Sequence, residues 1–167
     1  MSPDTAALLS QVCGRLERSI RERDAPAIAA LQGEQVLTLS DYDYLRDDAT
    51  AAAFEDRAAV KARELGARRW VLAVPQVWVI TPEQVSVRAV SNLPLRDGEQ
   101  EAITWMAFDA AHGVDYGLVP YGRRPSGEPV FGEPEVITAR VQAAPGMPGY
   151  RMLHALMGSD DTSAGDR

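Results

Sequence analysis

The chain has 167 residues, of which 46% are hydrophobic, with one cysteine and a formal net charge of −7. This size and apolar content fit one globular domain with its own core, and a single cysteine excludes an intrachain disulfide. The acidic balance argues against binding to nucleic acid or to an anionic membrane surface, because both partners require a basic face on the protein.

The first predicted element is an amphipathic helix. Ser2, Pro3 and Asp4 indicate its start, with a capping hydroxyl, a proline in the first turn and an acid near the positive helix end. Apolar residues then recur at steps of three and four, which predicts one buried stripe. The stripe contains Leu9, Val12, Cys13, Leu16 and Ile20. We interpret Cys13 as a small buried side chain; the alternative, a reactive thiol, has no neighbouring histidine to support it.

A short second helix and a short strand are predicted next. Asp24 has the character of a helix cap, and Gly33 marks the end of this helix. The side chains expected to face inward are Ile28, Ala29 and Leu31. Residues 36–39, with the sequence Val-Leu-Thr-Leu, predict a strand because they are rich in β-branched side chains and too few for a helix.

The turn after this strand is strongly acidic. It contains Asp41, Asp43, Asp47 and Asp48. The pattern favours a solvated turn in which Asp48 or Thr50 caps a third helix, which buries Phe54 and ends at Gly66. Two alternatives remain open: Asp41 as a general base in a pocket, and a cation site formed by several carboxylates.

From Trp70 onward the pattern changes to strands. Residues 70–74 and 77–80 are β-branched and aromatic, and Pro75 between them predicts a bulge, a bend or an edge. Alternation after the turn at 81–84 predicts the second strand of a hairpin. Further strands are predicted at 102–108, 116–121, 136–142 and 150–157. Residues 1–158 are predicted to form a single domain, and the small polar residues 159–167 a disordered tail.

Helices followed by strands predict an α+β fold, with three N-terminal helices packed on a curved, mainly antiparallel sheet. Residues 23–31, Arg-Asp-Ala-Pro-Ala-Ile-Ala-Ala-Leu, and residues 36–41, Val-Leu-Thr-Leu-Ser-Asp, resemble the NTF2-like, or cystatin-like, α+β cone. The resemblance implies a pocket at the mouth of the cone. In ketosteroid-isomerase-like members an aspartate near the first strand is the base, and Asp41 corresponds to it by position. The first helix here has no tyrosine for the oxyanion hole of those members, and Leu16 lies near its place.

Other candidate residues lie in the second half of the chain. His112, in an Ala-His-Gly sequence, favours an exposed turn, with a functional imidazole as the alternative. His154 is predicted on the last strand as a semi-buried residue or a base. Trp78 and Trp105 fall in predicted strands, where they fill the core or, with Tyr116, line an apolar pocket. We predict no metal site and no cofactor, because the histidine spacing and the single cysteine match no such motif.

The leading functional prediction is a non-catalytic NTF2-like domain that binds a small apolar molecule or a protein, including a second copy through the sheet face. One alternative is a small isomerase- or cyclase-like enzyme that uses Asp41, His112 or His154 on an apolar substrate. The other is a bacterial interaction, chaperone-like or immunity-type protein with an acidic binding surface. The start of the chain lacks the pattern of a signal peptide, and no apolar run approaches the ~20 residues of a membrane span. We therefore expect a cytoplasmic protein that binds neither nucleic acid nor membrane.

Overall fold

The computed structural model describes residues 1–90, 94–137 and 144–158, which contain three helices and eight strands. The helices are α1 (Pro3–Arg21), α2 (Asp48–Glu64) and α3 (Tyr150–Met157). The strands are β1 (Ala27–Gln32), β2 (Val36–Asp41), β3 (Arg69–Ile80), β4 (Val85–Ala89), β5 (Glu99–Asp109), β6 (Gly113–Arg123), β7 (Pro129–Phe131) and β8 (Glu135–Val136). They form one curled antiparallel sheet in the order β2-β1-β3-β5-β6-β7, with β4 paired to β3 and β8 paired to β6. The α+β class with a curved antiparallel sheet is confirmed.

The two faces of the sheet carry different helices. Along β3, Val71 and Ala73 belong to the core that α1 completes. The alternate residues Trp70, Leu72 and Val74 belong to a second core that α2 and α3 complete. Because successive side chains of a strand point to opposite faces, α1 covers one face and α2 and α3 cover the other. We call these the α1 face and the α3 face.

Helix α1 follows its sequence signals. The Ser2 hydroxyl accepts a hydrogen bond from the Thr5 N–H at 3.2 Å, and Pro3 opens the helix. The predicted stripe is buried, including Cys13, which is 3% exposed. Burial, helped by the charge of Glu17, raises the pKa of the Cys13 thiol to about 12. A thiol that stays protonated at neutral pH is a poor nucleophile, so its role is packing.

The predicted second helix is wrong, because this segment forms β1. β1 lies between β2 and β3, and its first five residues are buried. Ile28 and Ala30 pack on the α1 face, while Ala29 and Leu31 pack on the α3 face. A strand buried on both faces has no polar side, so its unbroken apolar run lacks the alternation that identifies a strand.

The strand predicted over residues 150–157 is also wrong, because this segment forms α3. The helices are therefore not all N-terminal: α1 and α2 precede the long strands, and α3 follows them. Met152 and Leu153 bury one side of α3 in the same core as α2. The strand predicted over 136–142 overlaps β8 at Val136. Residues 138–143 and the predicted tail, 159–167, lie outside the described residues.

Pro75 does not interrupt β3, which runs unbroken from Arg69 to Ile80. On one edge of β3, β1 pairs as far as Ala73 and β4 pairs from Gln76 onward. Pro75 therefore lies at the gap between two neighbouring strands. A residue without an N–H donor is tolerated where one edge of the strand lacks a neighbour. This explains why a proline stands here, and it agrees with the edge position that Pro75 predicts. The hairpin of β3 and β4 forms as predicted.

Candidate functional site

Two of the predicted acid–base candidates, Asp41 and His112, lie outside both clefts described below. Asp41 ends β2, where one oxygen accepts a hydrogen bond from Arg57 and the other from the Asp43 N–H, both at 2.7 Å. His112 lies in the exposed turn between β5 and β6, with Nδ1 3.4 Å from a carboxylate oxygen of Asp109. Each side chain has structural partners, and the two lie on different elements of the fold.

The third candidate, His154, lies on α3 and not on a strand, and it is exposed rather than semi-buried. Its ring packs on Tyr150 with 4.3 Å between ring centroids. The exposure follows from the helical period, because Met152 and Leu153 take the buried side of this short helix. Of the three candidate bases, His154 alone lines one of the two clefts described below.

The predicted pocket aromatics lie on opposite faces of the sheet. Trp105 is 1% exposed on the α1 face and packs on Gly117, where a Cβ atom would overlap its ring. Trp78 and Tyr116 lie on the α3 face, and the Trp78 indole N–H donates to the Thr104 hydroxyl at 2.9 Å. The three side chains therefore do not line one common pocket.

The first cleft lies on the α3 face, at the place where the helices stop covering the sheet. Its volume is about 850 Å³, which is in the range of cavities that bind small molecules. The floor comes from β3 and β4, and the walls come from the start of α2, the segment before α3 and α3 itself. Its lining includes Tyr44, Ala52, Glu55, Gln76, Val87, Met147 and His154. We call it the α3 cleft.

Glu55 holds one wall of the α3 cleft in place. This buried carboxylate accepts hydrogen bonds from the Tyr44 hydroxyl at 2.6 Å and from the N–H groups of Gly149 and Met152 at 2.8 and 3.0 Å. Gly149 precedes α3 and offers no side-chain cap, so a carboxylate from α2 satisfies these N–H groups. Burial and the charge of Glu55 raise the pKa of Tyr44, which keeps its hydroxyl protonated as a donor.

Gln76 contributes an unsatisfied polar atom to the floor of the α3 cleft. Its side chain is 9% exposed, and its Oε1 atom has no hydrogen-bond partner among the described residues. Buried polar atoms are nearly always paired, so an exception calls for an explanation. A ligand with an N–H or O–H group would supply the missing donor.

The cations around the α3 cleft are already paired. Arg88 donates two hydrogen bonds to Glu99, at 3.0 and 2.7 Å, and Arg151 donates two to Asp56, at 2.7 and 3.1 Å. The hydrogen bonds from Arg88, with one from the Arg96 N–H, lower the pKa of Glu99 to about 2. These charges are compensated, which favours an uncharged ligand.

A second cleft lies on the α1 face, next to the C-terminal end of α1. Its volume is about 740 Å³, and its lining includes Ile20, Arg23, Pro75, Val77, Tyr121 and Arg123. The buried carboxylate of Glu101 also lines it and accepts hydrogen bonds from Nε and Nη2 of Arg123 at 2.8 and 3.1 Å. Burial and the charge of Glu101 raise the pKa of Tyr121 above its ordinary value. We call this cavity the Arg23 cleft.

Two residues of the clefts had signals in the sequence that pattern reading missed. Glu55 stands with Ala58, Ala59 and Ala62 at helical spacing, so it is a charged residue within the buried stripe of α2. Gln76 is the polar residue within the apolar run of β3. A polar side chain inside an otherwise apolar pattern indicates a satisfied structural group or a site. Among the described residues, no group of three or more His, Cys, Asp or Glu side chains is placed to hold a metal.

The fold and these two clefts define an α+β protein with ligand-sized cavities beside a curled sheet. Comparisons with protein-family models, with curated proteins and with solved structures find no match for this chain. None of the described helices is long and apolar enough to cross a bilayer.

Proposed function

We propose that this protein is a non-catalytic binding domain that holds a small, uncharged and partly apolar molecule in the α3 cleft. The observation that carries the proposal is Gln76, whose buried Oε1 has no partner in the described part of the chain and which lies at the floor of the cleft. Leaving such an atom unpaired costs about 1–3 kcal/mol, and a ligand N–H or O–H group would recover it. Val87 and Met147 offer apolar contacts beside it.

The polar groups of the cleft support binding rather than chemistry. Acid–base catalysis requires positioned groups that can give and take a proton near neutral pH. The carboxylate of Glu55 already accepts three hydrogen bonds that fix α3 and Tyr44. Arg88 and Arg151 are each paired with a carboxylate. These groups build the site rather than act on a ligand, and His154 lines the same cleft.

A blocking substitution tests this site. In the Ala52→Trp variant a bulky side chain enters the α3 cleft, whereas Ala53→Trp adds the same side chain to the exposed side of α2. We expect Nile red, an uncharged apolar dye, to bind the wild type and Ala53→Trp equally. Its affinity should fall by about tenfold or more in Ala52→Trp, because the added ring displaces the dye from the apolar surface. Fluorescence titration measures both constants, and equal affinities for the two variants would contradict the proposal.

An acid–base enzyme is the second candidate, and the position of His154 in the same cleft favours it. A neutral imidazole beside a bound apolar substrate can act as a general base. Recovery of the bound molecule after long incubation separates the two functions. An unchanged molecule supports binding alone, and a converted one that the His154→Ala variant leaves intact supports the enzyme.

A second copy of the chain is the protein partner that we propose. Trp78 faces Val87 and Ile80 faces Val85 across the β3–β4 hairpin, which forms an apolar strip on the α3 face. Ile80 is 54% exposed and Val85 is 60% exposed, although both are aliphatic. Exposed apolar surface of this kind marks interaction sites, and β4 is paired only with β3 among the described strands.

Light scattering over a concentration series tests this dimer. We expect the wild type to approach twice the monomer mass. The Ile80→Lys/Val85→Lys variant should dissociate with a dimerisation constant at least about tenfold weaker, because charge in the strip cannot be buried without a partner. Val60→Lys, at an exposed valine of α2 away from the strip, is the matched control and should behave as the wild type. A wild type that stays monomeric at every concentration would rule out this partner.

The relation to NTF2-like proteins is likewise a proposal. It is supported by the α+β order and the curled antiparallel sheet. Against a close relation, residues 27–32 of the resembling segment form a strand, and the helices lie on both faces of the sheet rather than on one.

A further inference from the structure

Arg23 has an unusual backbone conformation at the mouth of the Arg23 cleft. Its φ is 63°, and it is the only non-glycine residue with positive φ in the described part of the chain. It follows the C-cap of α1, and the Asp24 N–H closes the helix end by donating to the Ser19 carbonyl at 2.8 Å. Glycine usually takes this position, because a Cβ atom is strained in the left-handed region.

The chain thus places an arginine where a glycine would be more stable. Strained backbone positions of this kind are enriched at binding and active sites. Arg23 lines the cleft and is exposed, and no described residue forms a hydrogen bond or ion pair with its guanidinium. A planar guanidinium without a partner is suited to a carboxylate, which it can bind through two parallel hydrogen bonds.

The rest of the Arg23 cleft offers an apolar surface. Ile20 ends the buried stripe of α1, and Pro75 and Val77 come from β3. At the other end, the charge of Glu101 is matched by the two hydrogen bonds from Arg123. Among the described residues, the cleft therefore combines an apolar floor, a neutralised ion pair, the unpaired guanidinium of Arg23 and the carboxylate of Asp24.

We propose that the Arg23 cleft is a second binding site, which takes a small organic anion with an apolar body and a carboxylate group. The apolar body rests on Ile20, Pro75 and Val77, and the carboxylate pairs with the Arg23 guanidinium. Pro75 and Val77 place this floor on the α1 face; Leu45 lines both clefts, but the proposed anion site does not depend on the function proposed for the α3 cleft.

Asp24 is a described group that opposes this ligand. It follows Arg23 in the chain and also lines the cleft. Its carboxylate repels an anion and competes with it for the guanidinium. Removing the charge of Asp24 should therefore strengthen binding of the anion, whereas removing the charge of Arg23 should weaken it.

The test compares naphthalene-2-carboxylate with uncharged naphthalene-2-carboxamide by isothermal titration calorimetry. We expect the wild type to bind the carboxylate about tenfold more tightly than the amide, as one charge-assisted pair provides. Arg23→Gly should abolish this preference and also raise Tm by about 2–4 °C, because glycine relieves the strained position. Asp24→Asn should tighten binding of the carboxylate by about threefold or more.

Two controls keep the result specific. Arg15→Gln removes one positive charge from the exposed side of α1, outside the cleft, and should leave the preference intact. Ala52→Trp blocks the α3 cleft and should leave carboxylate binding unchanged, so failure of either site can be recognised separately. The proposal is overturned if the wild type binds neither compound, or if Arg23→Gly retains the preference for the carboxylate.

Discussion

Replacing Glu55 by alanine should lower the free energy of unfolding by about 3 kcal/mol, because the change leaves the Tyr44 hydroxyl and two N–H groups of α3 without their acceptor. All three donors lie within 3.0 Å of the Glu55 carboxylate, which is buried. Urea denaturation followed by circular dichroism measures the loss. Hydrogen exchange at Met152 and Leu153 should accelerate more than in the sheet, because the missing cap frees the start of α3.

The adjacent residue supplies the matched control. Asp56 also joins α2 to α3, through two hydrogen bonds from Arg151, but this pair lies at the surface. Exposed ion pairs contribute little, so Asp56→Ala should destabilise the protein by a small fraction of the Glu55→Ala effect. Tyr44→Phe removes one donor, and its loss in the free energy of unfolding should lie between those of Asp56→Ala and Glu55→Ala. If Glu55→Ala and Asp56→Ala were equally destabilising, the capping role of Glu55 would be wrong.

The second large effect is expected at Asp109, which ties the start of α1 to the end of β5. Its Oδ2 accepts hydrogen bonds from the hydroxyls of Ser2 and Thr5 and from Nε of Arg69, at 2.7, 2.8 and 2.9 Å. Its Oδ1 accepts one from the Ala111 N–H at 2.8 Å. Burial acts to raise the pKa of Asp109, but these hydrogen bonds outweigh it and hold the pKa well below its usual range.

Asp109→Asn should therefore change both stability and its pH dependence. At pH 7 the variant should lose about 2–3 kcal/mol, because an amide cannot accept every one of these hydrogen bonds. A carboxylate with a depressed folded-state pKa stabilises the fold above its unfolded pKa of about 4, and this contribution is lost as the pH falls toward the folded value. The acid side of the stability curve should therefore be shallower in Asp109→Asn than in the wild type.

Urea midpoints measured between neutral pH and about pH 2 check this expectation. Glu99, with a pKa of about 2, titrates in the same range, but it is present in both proteins and cancels in their difference. Asp97→Asn removes an exposed carboxylate and serves as the charge control. If the urea midpoints of Asp109→Asn and the wild type fell in parallel as the pH is lowered, Asp109 would not carry this pH dependence.

The candidate site could be predicted only in part. The sequence singled out His154, but the strand expected there would have buried it, and the helix instead turns it toward the α3 cleft. Trp105 and Trp78 were grouped as pocket residues because both are aromatic, although their different positions in the strand alternation place them on opposite faces. Gln76 stands out as a polar residue in an apolar run, but only the tertiary structure shows that its Oε1 is unpaired and that Arg23 has a positive φ.

The sequence by itself determined the elements whose signals are local. Capping residues for α1, apolar periods and the change to β-branched residues after Trp70 were enough for α1, α2, β2 and the three long strands, and hence for the α+β class. The predicted cap of α2 was wrong, because its N-cap is Asp47 and not Asp48 or Thr50. The tertiary structure decided the elements that are buried on both faces or capped from a distance. β1 is a strand because two neighbouring strands pair with it, and α3 is a helix that Glu55 caps from another helix. Those interactions join residues far apart in the chain, so no local pattern could reveal them.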